Sequence, residues 1–178
     1  MTENFPNSLD GWVQSPGSNA SWSLASDEAS QGVLSLKNDD VNDSEHAAIE
    51  VTANFRAGNI SFDRKVSSES NYDYLIFYID GVEQARWSGN VEWSTLTYPV
   101  TEGLHTFKWV YDKDFSVSTG ADSAWIDEVN LPPINNAPVI DVAASAAPAS
   151  IPVNGITQLS VEASDVDGDV LSYTWEKV

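Results

Sequence analysis

The chain contains no cysteine, and its 178 residues include two histidines, His46 and His105. Without thiols there are no disulfides, no thiol catalysis and no cysteine-ligated zinc. Two histidines outside any metal-ligand or triad spacing make a His-ligated metal or a Ser–His–Asp triad hard to assemble. Positive charge is also scarce: 8 Lys and Arg stand against 27 Asp and Glu, a net charge of −19 and a pI of about 4.1. Such a surface repels phosphate backbones and anionic headgroups, which argues against nucleic acid and acidic membrane surfaces as partners. No apolar run approaches the ~18 residues of a spanning helix, so membrane insertion is not expected. No secretory leader is recognisable at Met1, so a secreted setting has to rest on other features. The sequence has no Gly-x-Ser-x-Gly elbow, no His-Glu-x-x-His helix and no glycine-rich phosphate loop. Paired carboxylates of the kind that hydrolyse glycosides arise by chance among so many acids. The chain is expected not to be an enzyme.

What is abundant is more informative. Hydrophobic residues make up 42% and aromatics 11%, with 7 Trp, 6 Tyr and 6 Phe, ample for a packed core. Helical periodicity is scarce. Short alternating runs rich in Val, Ile, Thr and aromatics recur between clusters of Ser, Asn, Asp and Gly, the pattern of many short antiparallel strands. Strands are predicted over residues 21–25, 32–37, 47–52, 58–63, 72–79, 82–88, 94–100, 103–111 and 123–131. Asp80 and Gly81, between two such runs, supply the positive φ angles of a type I′ hairpin turn. The expected fold class is all-β, an antiparallel jelly-roll β-sandwich, followed by a truncated immunoglobulin-like segment.

Composition changes at Pro132, Pro133, Asn135, Asn136 and Pro138, which cannot continue a ladder. The expected organisation is a sandwich over residues 1–132, a linker over 133–138 and a second segment over 139–178. That second segment, with strands predicted at 139–143, 158–163 and 171–176, is too short for a seven-stranded sandwich.

Two sets of side chains carry candidate chemistry. Strand periodicity puts Phe107 and Trp109 on one face, as core, and separates Leu75, Phe77 and Ile79 from Tyr74 and Tyr78. Trp87 and Trp93 bracket residues 88–92 beside Arg86. An aromatic ring stacks on the C–H face of a pyranose while nearby polar groups bond its hydroxyls. Trp93, Trp87, Tyr78 and Arg86 are therefore the candidate glycan contacts, against the alternative that the tryptophans cap the sandwich ends. The second set is acidic. Asp165, Asp167 and Asp169, around Gly168, can present several oxygens to one calcium ion, or can form a metal-free turn. The cluster containing Asp39 reads first as a solvated loop and second as a metal site, while Asp112, Asp114 and Asp122 flank a loop where they could equally line a site or keep the loop wet.

The tail order resembles the opening of a polycystic-kidney-disease-type or cadherin-like immunoglobulin repeat of large secreted bacterial proteins. It runs from Asn136, Pro138 and Val139 through Ala163, Ser164, Asp165, Asp167, Gly168 and Asp169 to Tyr173 and Trp175. The resemblance implies a spacer or tandem repeat. The stretches 62–69, 72–78, 103–111 and 124–129 resemble jelly-roll accessory domains, similar to MAM and carbohydrate-binding modules of secreted bacterial proteases, glycan-degrading enzymes and adhesins. That second resemblance implies an extracellular setting, and a structural calcium held by an early glutamate and a late-strand aspartate, here Glu3 and Asp127. The functional expectation is a non-catalytic module that binds a polysaccharide or cell-surface glycan and tethers a larger enzyme or adhesin. The alternative is a structural spacer or protein-binding adhesin module without glycan affinity.

Overall fold

A computed structural model of the chain describes residues 11–176. The chain divides into two compact units, Met1–Ile134 and Asn135–Val178. The first unit contains β1 (Trp12–Gln14), β2 (Trp22–Ala25), β3 (Ser35–Asn38), β4 (His46–Phe55), β5 (Gly58–Ser67), β6 (Tyr74–Ile79), β7 (Val82–Trp87), β8 (Asn90–Val100), β9 (Gly103–Asp112) and β10 (Ser123–Asn130). Among the described residues there is no helix. The strands form two five-stranded sheets, β1-β4-β9-β6-β7 and β2-β3-β10-β5-β8, with antiparallel pairing throughout. This is the all-β jelly-roll sandwich that the alternating pattern predicts.

The core lies where the inward faces of the two sheets meet. Phe107, Trp109 and Tyr111 alternate along β9 and are wholly buried, as are Leu75 and Phe77 on β6 and Ile60 and Phe62 on β5. Phe62 crosses between the sheets, edge-on to Phe77 at 4.8 Å and to Trp109 at 5.3 Å between ring centroids. Trp12 of β1, a strand too short to show alternation, stacks on Trp109 at 5.2 Å. The β6–β7 turn has Asp80 at φ 52° and Gly81 at φ 77°, as a type I′ turn requires. The strand beginning at Tyr72 by pattern starts instead at Tyr74. Residues 69–73 close a turn in which Glu69 C=O accepts the N–H groups of Tyr72 and Asp73, with Asn71 at φ 69°.

After β10 the chain turns back onto the sandwich. Arg56 N–H donates to Pro133 C=O at 2.8 Å, and Ile134 bridges to Phe55. Prolines lack the donor for a ladder but keep the carbonyl, so this segment caps β4 and β5. In the second unit β11 (Val139–Ala147) pairs with β12 (Gln158–Ser164). The strand expected at 171–176 is not formed, because an alternating run needs a neighbouring strand to pair with.

Candidate functional site

The outer face of the β1-β4-β9-β6-β7 sheet departs from what water alone would select. Cross-strand partners share a face, so the register maps this surface row by row. The central row is Ala48, Val110, Ile76 and Arg86. On one side lie Glu50, Lys108, Tyr78 and Glu83, and on the other His46, Asp112 and Tyr74. Ala48 and Ile76 point away from the sandwich core yet are only 2% and 5% exposed. They form the floor of an open groove of about 260 Å³, walled by Ser15 and Pro16 beyond β1 and by Tyr78, Lys108, His46 and Asp112.

Both tyrosines of this face are held beneath cations: Lys108 Nζ lies 5.1 Å from the Tyr78 ring and the Arg86 guanidinium 5.2 Å from the Tyr74 ring. Arg86 is fixed by a bidentate pair to Glu83, at 2.7 and 2.5 Å. That pairing holds the Glu83 carboxyl below its ordinary range and the Arg86 guanidinium above its own. Desolvation, reinforced by the Glu83 charge, raises the Tyr78 phenol, so its hydroxyl stays protonated and can donate. Desolvation also raises the Asp112 carboxyl, against the pull of His46 and Arg86. The surface therefore offers an apolar floor, two preoriented rings, and donors and acceptors around them.

Of the four residues singled out for glycan contact, the structure brings two together here, Tyr78 and Arg86. Trp87, the cross-strand partner of the buried Leu75, packs against the core, with the Arg64 guanidinium 5.2 Å from its ring. Trp93 lies on β8, the edge of the opposite sheet, half-buried with a buried indole N–H that has no hydrogen-bond partner. The sequence signal that could have located the groove is Ile76, an apolar residue on the wrong face of a strand whose other face is already core.

The acidic residues sort differently. Glu3 lies outside the described residues. Asp39 is exposed and accepts the Ser23 hydroxyl at 2.6 Å. Asp127 is fully buried, and its carboxylate accepts three backbone N–H groups, from Ser30, Gln31 and Glu128. In the second unit Asp165 Oδ1 accepts the N–H groups of Asp167 and Asp169, and Asp167 accepts from Asn136. A cluster not singled out as a set by sequence, Glu69, Asp73 and Asp114, brings one carboxylate oxygen from each residue within 4.8 Å of the others. That trio has the donor chemistry to hold a metal ion.

No protein-family model matches the sequence, and comparison with curated proteins finds no match. Similar folds are found among solved structures. The chain is 15% identical to the secreted serine protease VesC from Vibrio cholerae, with a TM-score of 0.56 over 69% of this chain and 24% of that one. It is 12% identical to a carbohydrate-binding module of the β-sandwich superfamily, with a TM-score of 0.50 over 69% of this chain and 57% of that one. The CBM22-1 xylan-binding domain of Paenibacillus barcinonensis Xyn10C aligns at 16% identity with a TM-score of 0.47, over 74% of this chain and 91% of that one. The chain thus spans about a quarter of the length of the protease. At these identities the likeness defines the class of fold.

Proposed function

We propose that the first unit is a non-catalytic carbohydrate-binding module that takes a polysaccharide chain across the outer face of the β1-β4-β9-β6-β7 sheet. The carrying observation is the groove itself: an apolar floor of Ala48, Val110 and Ile76, flanked by Tyr74 and Tyr78 and fringed with Lys108, Asp112, Glu50 and Arg86. A pyranose has apolar C–H faces and a polar rim, and this surface offers their complement. The shared fold with a β-sandwich carbohydrate-binding module supports the reading. In it the module is extracellular, in a secreted or surface-bound bacterial protein, and raises the local concentration of a linked enzyme or adhesin at its glycan. The same fold inside a secreted protease motivates the second reading, an accessory or spacer domain without glycan affinity.

The test is affinity electrophoresis and calorimetry of the full chain against a panel of xylans, mixed-linkage glucans, galactans and other soluble polysaccharides. Saturable binding that weakens about tenfold in Tyr78→Ala, as expected for one lost stacking contact of roughly 1.4 kcal/mol, supports the groove. Binding retained in Tyr78→Ala but lost in Trp93→Ala moves the site to β8. No binding on a broad panel favours the accessory-domain reading.

A further inference from the structure

We propose that Glu69, Asp73 and Asp114 form a binding site for a calcium ion that ties together two of the crossovers between the sheets. Glu69 and Asp73 lie in the segment joining β5 to β6, and Asp114 in the segment joining β9 to β10; each segment passes from one sheet to the other. One hydrogen bond already joins them: Asp114 N–H donates to Asp73 Oδ1 at 3.0 Å, while within the first segment the Ser68 hydroxyl donates to Asp73 C=O at 2.8 Å.

Proximity of acids alone would not make a site. The second observation is Asp73 itself, which is 0% exposed, with an Oδ2 that is buried and accepts no hydrogen bond. A buried carboxylate oxygen that no donor reaches is costly unless a cation or a proton meets it. Lys113, whose charge reaches the trio, is directed elsewhere, its ammonium bonded to the Ser118 hydroxyl at 2.7 Å and to Asp122. Asp114 Oδ1 accepts Ser116 N–H, which leaves its other oxygen available.

The donor set selects the ion. Three carboxylates without thiol or imidazole suit a hard cation. Calcium takes six to eight oxygens at roughly 2.3–2.6 Å, so ligands on opposite sides of one ion stand about 5 Å apart. Oxygens within 4.8 Å of one another fit inside that sphere, with water completing it. Bridging both crossovers would hold the end of β6 and β9 where Tyr74 pairs with Asp112.

Calcium is titrated into the full chain by calorimetry, and thermal unfolding is followed in calcium, in chelator, and in magnesium at matched ionic strength. Calcium at a hundred times its dissociation constant should shift the unfolding equilibrium of the sandwich about 100-fold toward the native state. Glu69→Gln and Asp114→Asn, at half-buried positions, should fold and lose both the heat of binding and the shift. Asp165→Asn should keep them, which separates the site from the second unit. An absent calcium response, an equal response to magnesium, or a response undiminished in Glu69→Gln and Asp114→Asn would each overturn the assignment.

Discussion

At the scale of single residues, the distribution of aromatics decides what recognition the sandwich can support. Residue type favours tryptophan as a sugar platform, because its face is the largest, but exposure depends on the pleat. Trp87 alternates inward with Leu75 as its partner, whereas Arg86, one position earlier, faces outward. The ring of Trp87 fills the space between Arg64 and the core. Trp87→Ala is therefore expected to destabilise the sandwich by roughly 2–4 kcal/mol, in the range of large-to-small changes at packed sites. The same variant, once folded, should keep wild-type polysaccharide affinity. Chemical denaturation and affinity electrophoresis on one preparation separate the two effects. A stable Trp87→Ala protein that no longer binds would put Trp87 in the site and its packing role in error.

At the scale of elements, strands were legible and the turns that join the sheets were only partly so. The run from Phe107 to Tyr111 declares its own inward face, and Asp80 with Gly81 declares its own turn, because both signals are local. Gly120 is different: its φ of 71° and its contacts depend on β5, more than fifty residues earlier. A Cβ there would fall on the Ser67 hydroxyl and within 3.2 Å of the Ser67 carbonyl carbon, where Ser67 Oγ accepts Ala121 N–H at 3.0 Å. Gly81, at φ 77°, has nothing within 4 Å of a built Cβ. Gly81→Ala should cost about 1 kcal/mol from backbone strain alone. Gly120→Ala should cost at least twice that, since it adds a clash and disturbs a hydrogen bond. Equal losses in urea denaturation would mean that the 113–122 segment yields freely. The acidic trio escaped the sequence for a related reason. Asp114 stands out in its loop, but Asp73 falls where the pattern predicts the start of a strand, and Glu69 in the run before it, with no signal to join them. The groove leaves Ile76 as its one local sign, and its walls come together only when sheet order places β4, β9 and β6 side by side.

At the scale of the whole molecule, charge sets the conditions under which the fold is strongest. Desolvation first, then neighbouring carboxylates, holds Asp73 and Glu69 above the ordinary carboxylate range in the cation-free protein, and desolvation does the same to Asp112. A raised carboxyl binds its proton more tightly folded than unfolded. The stability it contributes is complete below the unfolded value and is lost as pH rises through the folded one. Asp27 and Glu83 behave oppositely. Their hydrogen bonds to Lys37 and Arg86 lower them, so their contribution is present above the unfolded value and disappears as pH falls through the folded one. The two sets close on the ordinary carboxylate values from opposite sides, near pH 4–5. Above that range the growing self-repulsion of a chain that reaches −19 at pH 7 adds to the loss. In chelator the melting temperature should therefore peak in mildly acidic buffer and decline toward neutrality. The decline should shrink in about 0.5 M salt, where the Debye length is only a few ångströms. Calorimetric melts from pH 4 to 8 at two salt concentrations measure this directly. A melting temperature that climbs steadily to pH 7 in chelator would mean that the lowered acids outweigh the raised ones and that net repulsion is of little consequence to this fold.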